Sequence, residues 1–186
     1  MSNQSRRGRI YFAAPLFNEM ERRFNRELVE FIEPFFEVFL PQRDGGLLMR
    51  FVKEGATLEM AETHVFLSDI DAMRESDAIV AVLDGACVDE GVAFEIGYMF
   101  ALGKVCVGLQ TDFRRALPTG NNPMIGRALD RICASSEELV SYLRDMRLPE
   151  FKSGIETQLD SRMNKGPLDQ TRNAQPRSDA LKGRGV

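Results

Sequence analysis

Glu95 is the one charged residue in the segment Gly91-Val92-Ala93-Phe94-Glu95-Ile96-Gly97-Tyr98-Met99-Phe100-Ala101-Leu102. A helix that is apolar all round is a buried helix, so this carboxylate stands where a charge is costly. Two readings are open. In one, Glu95 pairs with a buried Arg or Tyr for packing; in the other, it is aimed into a cleft and does chemistry. Asp84, Asp89 and Glu90 crowd the mouth of the same helix, so several carboxyls are expected to face one cleft. Repulsion between them separates their pKa values, leaving one as an acid and another as an anion. The positive end of the helix dipole, one turn away, partly stabilises an anionic Glu95. A carboxylate nucleophile on one side of a sugar carbon, with a proton donor for the leaving group, is the arrangement glycosyl transfer uses.

The elements that must position these groups are read from period and punctuation. Ile10-Tyr11-Phe12-Ala13-Ala14 is apolar throughout and ends at Pro15, as a strand buried on both faces does. Residues 18–32 follow as a helix with Met20, Phe24, Leu28 and Phe31 at helical spacing. Phe36-Glu37-Val38-Phe39-Leu40 is a second strand, stopped by Pro41, and residues 42–55 form a Gly-rich loop of the kind that carries function. Thr57 caps a helix running to Glu75, with Met60 in place of a capping-box Glu. Asp77-Ala78-Ile79-Val80-Ala81-Val82-Leu83 is the clearest strand, and Gly103 closes the helix that carries Glu95. Val105-Cys106-Val107-Gly108-Leu109 and Ile132-Cys133 complete the strands, followed by a final helix over residues 136–146.

Strands alternate with helices and read as buried on both faces. This predicts an α/β fold: a five-stranded, parallel, doubly wound sheet of flavodoxin-like order with helices on both faces. Ligands in such sheets sit beyond the carboxyl ends of the strands where the order reverses. That places the loop beginning at Ala13 beside the loop that runs from Asp84 to Gly91, and Ala13 and Gly91 join the candidate substrate-binding residues.

The chain has 186 residues, 44% hydrophobic and 28% charged, as one ordinary globular domain does. A formal charge of -4 offers nothing to a nucleic-acid backbone or an anionic membrane. Cys87, Cys106 and Cys133 are far apart and odd in number, the pattern of reduced thiols in a cytoplasmic protein. With His64 the only histidine, a His-based metal site or a Cys–His pair has little to build on. Ser5-Arg6-Arg7-Gly8 loosely looks like a twin-arginine signal, but the apolar run after it is short, holds Pro15 and leads into a polar helix. The expected organisation is a flexible N-terminus at 1–8, a catalytic domain at 9–149 and a polar extension at 150–186. Residues 151–186 hold seven Lys/Arg against four Asp/Glu, so the tail is basic and the rest acidic. A tail packed on a neighbouring subunit is the alternative.

Asp89-Glu90-Gly91-Val92-Ala93-Phe94-Glu95-Ile96-Gly97-Tyr98, with the strand before it and Ile10-Tyr11-Phe12-Ala13-Ala14-Pro15, resembles the nucleoside 2-deoxyribosyltransferase family. The resemblance spans residues 9–143. It implies that Glu95 is the nucleophile, that Asp89 binds the base and handles its proton, and that Tyr11 hydrogen-bonds the nucleophile. Asp69 takes the place of a second base-contacting aspartate, and Gln42 stands where the base-pocket loop begins. Asn122, in Asn122-Pro123-Met124, takes the place of an asparagine donated across a subunit interface, which implies a homo-oligomer, at least a dimer. For Tyr11, Asp69 and Asn122 the competing readings are a core aromatic, a solvated helix carboxylate and a simple turn. The implied activity moves 2-deoxyribose between nucleobases of deoxyribonucleosides, in nucleoside salvage, with no metal or organic cofactor. Two rivals remain open: a hydrolase of 2′-deoxynucleoside 5′-monophosphates, and a non-catalytic nucleotide-sensing module. The first needs a cationic or hydroxyl cradle after the first strand, where this chain has Ala13-Ala14-Pro15-Leu16-Phe17-Asn18, although Arg22, Arg23 and Arg43 are near in sequence.

Overall fold

The computed structural model describes residues 7–46, 48–112, 114, 121–146 and 148. Residues 1–6 of the expected N-terminal segment and the extension at 150–186 lie outside them. Five strands, β1 (Arg9–Ala13), β2 (Glu37–Phe39), β3 (Ala78–Val82), β4 (Val105–Leu109) and β5 (Arg131–Cys133), form one sheet in the order β2-β1-β3-β4-β5. Every neighbouring pair is parallel. The chain moves outward from β1 to β2 and then returns past β1 to β3, so the order reverses between β1 and β3, as expected.

Helices α1 (Glu19–Ile32) and α6 (Ser136–Asp145) cover one face, with Leu28, Val29, Ile32, Leu139 and Leu143 packed on Ile10, Phe12, Val80 and Val107. On the other face α3 (Leu58–Glu75), α4 (Glu90–Ala101) and α5 (Pro123–Ala128) bury Ile70, Met73, Ile96, Met99 and Ala128 against Tyr11, Ala13, Ile79 and Ala81. The two-residue period of a strand makes this division. It sends Tyr11 and Ala13 to the face that carries α4, while Phe12 turns to α1.

The helices begin where local side chains satisfy their free N–H groups. Asn18 and Glu21 form a reciprocal capping box on α1. Thr57 accepts from Met60 N on α3 as expected, and Ser135 accepts from Glu138 N on α6. Gly103, at φ 70, ends the α4 turn by donating to Phe100 O. Among the described residues, no helix is long and apolar enough to cross a membrane.

Three expectations are corrected. The buried stripe of α1 is Asn25, Leu28, Val29 and Ile32, leaving Met20 and Phe31 exposed. The expected stripe lay roughly a quarter turn from it around the helix axis, at about 100° per residue. Residues 42–55 are not one loop: they hold most of a π-helical turn, Pro41–Gly45, and then a short helix α2, Leu48–Lys53. Gly46 and Gly55, both at positive φ, bracket a run of good helix formers. Finally, α4 is not enclosed all round. Val92, Ile96 and Met99 are buried, but Phe94 is 53% exposed and Gly97 and Ala101 face outward. The helix is apolar on a side that the described residues leave exposed.

Candidate active site

Tyr11 reaches the site from the middle of β1 and is fully buried, its ring stacked on Phe39 at 5.6 Å between centroids. Its hydroxyl donates to Glu95 Oε1 at 2.5 Å. Glu95 lies on the second turn of α4 and is partly buried. No Lys or Arg among the described residues pairs with it. The charged groups acting on it are Asp69, from α3, and Asp89, at the start of α4, and both are negative.

Burial, opposed by the Tyr11 hydrogen bond and reinforced by Asp69 and Asp89, pushes the Glu95 carboxyl up to about 8. The Tyr11 phenol is held above its ordinary range by burial and by Glu95 and Asp69, so it stays a donor. Asp69 is pushed up to about 6 by burial. Its Oδ1 is enclosed and has no hydrogen-bond partner among the described residues. An unpaired enclosed carboxylate oxygen is costly and is seldom kept without use.

Asp89 is the N-cap of α4, with Oδ1 accepting from Gly91 N at 3.0 Å and Val92 N at 3.1 Å. Cap and candidate proton donor are the same residue, which ties Asp89 to the helix that carries Glu95. The expected crowd of carboxyls at this helix mouth is smaller than predicted. Asp84 turns away to accept from Thr111 N at 2.6 Å and Asp112 N at 2.9 Å, and Glu90 is exposed. Asp69 takes the place that Asp84 and Glu90 were expected to fill.

The remaining candidates are placed as follows. Ala13 is buried at the carboxyl end of β1, and Gly91 is exposed in the first turn of α4. The Gln42 amide is committed to α1: Oε1 accepts from Asn25 Nδ2 at 3.0 Å and Nε2 donates to Arg22 O at 2.8 Å. Asn122 is exposed and caps α5, accepting from Met124 N, and no hydrogen bond joins it to Glu95 within the described residues. The Asn-Pro pair at the cap and first position was the signal for this unpredicted short helix. Phe39 and Gly45, which shape the surroundings of Tyr11 and Asp69, carry no chemistry of their own and so were not singled out.

A groove of about 430 Å³ is lined by Arg9, Phe39, His64, Ser68, Asp71 and Glu75 among others. It does not include Glu95, Asp69 or Asp89. Among the described residues no three His, Cys, Asp or Glu side chains are grouped to hold a metal ion.

An unpaired carboxylate oriented by a phenol, with further carboxyls nearby, suits attack on an electrophilic carbon coupled to proton transfer. Known proteins share this fold. A conserved protein from Enterococcus faecalis V583 has the same fold at a TM-score of 0.61 and 28% identity, covering 74% of this chain and 97% of that one. The 2-deoxyribosyltransferase of Bacillus psychrosaccharolyticus superposes with a TM-score of 0.59 at 22% identity, over 73% of this chain and 92% of its own. A 2-desoxiribosyltransferase from Leishmania mexicana does so with 0.52 at 23% identity, over 74% and 98%. No curated protein sequence matches the chain. The family model for nucleoside 2-deoxyribosyltransferase matches residues 10–158, and with that match the chain belongs to the nucleoside 2-deoxyribosyltransferase family.

Proposed function

We propose that this protein transfers 2-deoxyribose between nucleobases through a covalent ester on Glu95. The observation that carries the reading is the Tyr11 hydroxyl bonded to a carboxylate that no cation among the described residues neutralises, where the strand order reverses. An oxygen of Glu95 attacks C1′ of a 2′-deoxynucleoside as the C1′–N bond breaks. The bond pair leaves with the base, and Asp89, directly or through water, supplies the proton that the base takes up. A second base, deprotonated by Asp89, then attacks C1′, and Glu95 departs as the carboxylate. Asp69 contacts the base in this scheme. Ala13 and Gly91 border the pocket through their backbone, and Gln42 supports it by holding its turn to α1.

A neutral nucleoside suits the site better than a nucleotide. Each arginine near the β1 loop already has partners: Arg22 donates to Leu16 O, Arg23 pairs with Glu27, and Arg43 pairs with Glu33 and Asp44. The acting unit in this reading is a homo-oligomer. Phe66, Leu67 and Phe94 are each more than half exposed on the outer side of α3 and α4, an apolar surface suited to a second copy. Asn122, with no bond to its own Glu95, is then offered to the neighbouring sugar.

Incubation with 2′-deoxyinosine, with and without free adenine, tests the activity. Formation of 2′-deoxyadenosine faster than release of free deoxyribose is expected. Release of deoxyribose alone, faster from the 5′-monophosphate, rejects transfer in favour of hydrolysis. Binding without any turnover would leave only a sensing module.

A further inference from the structure

Gly45 ends the π-helical turn and is buried directly over Asp69. Glycine there is not required by the backbone, because Gly45 is not among the glycines with positive φ. What it leaves out is a side chain: a Cβ at this position would lie 2.9 Å from Asp69 Oδ1 and 3.5 Å from Phe39 Cζ. The missing methyl group is the space in which the carboxylate oxygen sits.

The turn that makes this seat is firmly held. Asn25, almost wholly buried in α1, donates from Nδ2 to Pro15 O at 2.9 Å and to Gln42 Oε1 at 3.0 Å. Asp44 Oδ2 accepts from Leu40 N at 2.8 Å, and Arg43 donates to Val38 O at 2.8 Å. A larger residue at 45 would therefore displace the carboxylate before it displaced the turn. With Oδ1 enclosed and Asp69 still partly exposed, the open edge of the carboxyl is the side of its other oxygen. Neither oxygen has a protein donor among the described residues, in keeping with a carboxyl raised by burial alone.

We propose that Gly45 is a positioning residue for base selection: it seats one oxygen of Asp69 and turns the other toward the bound base, so the site demands a base with an N–H donor on that edge. The inference rests on the deoxyribosyl-transfer reading and adds to it the chemical feature by which bases are accepted. A base that brings a donor completes the carboxylate's hydrogen bonding. A base without one leaves a desolvated charge unpaired, which is how buried polar sites reject close analogues.

The test compares kcat/KM for 2′-deoxyadenosine and for purine 2′-deoxyriboside, which differ by the amino group, with one acceptor base throughout. Wild type is expected to favour 2′-deoxyadenosine by about tenfold to a hundredfold, the worth of a hydrogen bond to a charged group. Gly45→Ala should bring the ratio to within about threefold of unity by lowering the 2′-deoxyadenosine value, with purine 2′-deoxyriboside turnover and the melting temperature retained. Retained turnover of the plain purine shows that Tyr11 and Glu95 still work, which general damage to the fold would not allow. Asp69→Asn is the second arm, needed if Gly45→Ala folds poorly: it fills the same seat but adds a donor, and should also collapse the ratio. Equal use of both nucleosides by wild type, or a wild-type ratio in either well-folded variant, overturns the inference while leaving the transferase reading intact. Failure of wild type to cleave either nucleoside defeats the transferase reading itself.

Discussion

Two sets of carboxylates stand at the carboxyl end of the same sheet and meet opposite fates. Beyond β3 and β4, Asp84 accepts from Thr111 N, Thr111 Oγ1 and Asp112 N, while Asp112 accepts from Gly85 N and pairs with Arg114. The Arg114 side chain holds the Asp112 carboxyl down to about 2. Beside β1, among the described residues, Glu95 has a phenol and no cation, Asp69 has no donor, and both are pushed up. Similar residues at neighbouring strand ends therefore serve different purposes. Where donors are supplied in full, carboxylates fasten one loop to another. Where donors are withheld, the missing partner is one that a ligand could provide.

This contrast makes separable predictions. Glu95→Gln should lower transfer by at least about a thousandfold, as loss of a nucleophile does, with the fold retained. Steady-state transfer rates and circular dichroism check it, and a residual rate within tenfold of wild type would move the nucleophile elsewhere. Tyr11→Phe should cost about tenfold to a hundredfold in kcat/KM, the worth of a hydrogen bond to a charged group. It should also move the pH profile. In wild type kcat/KM should climb through about pH 8 as Glu95 ionises. Tyr11 lowers that value by donating to the anion, so its loss should carry the ascending limb to higher pH.

On the fastened side, Asp84→Ala should cost about 1 kcal/mol by removing its hydrogen bonds, a fall of a few degrees in melting temperature, with the pH profile unmoved. Asp84→Asn should restore much of this loss. A separate effect follows from linkage. Asp69 and Glu95 have folded values above their unfolded ones, so their contribution to stability is complete below about pH 4. It is lost as pH rises through about 6 for Asp69 and about 8 for Glu95. The melting temperature should therefore decline from pH 5 to 9, and Glu95→Gln should flatten that decline.

Features set by near neighbours could be read from the sequence. Strand and helix alternation, the Thr57 cap and the Gly103 stop depend on residues a few positions apart, and the parallel order follows from the alternation. The pairing of Tyr11 with Glu95, 84 positions apart, came only from family resemblance; no period or spacing contains it. The misplacement of Asp84 has the same origin, since its partners lie 27 and 28 residues downstream. The exposed side of α4 was hidden for a different reason. Apolar composition reports that Phe94 will be covered, but not whether its own chain or another copy covers it. Gly45 was read as a loop glycine because flexibility and vacated space leave the same letter in a sequence.

The central claim is that Glu95 is the atom-bonding partner of the sugar. Incubating the protein with a 2′-fluoro-2′-deoxynucleoside, digesting it and sequencing the modified peptide by mass spectrometry tests this directly. A glycosyl ester on Glu95, discharged by added nucleobase, is the predicted result. A stable label on any other residue, or turnover with no adduct on Glu95, would contradict it.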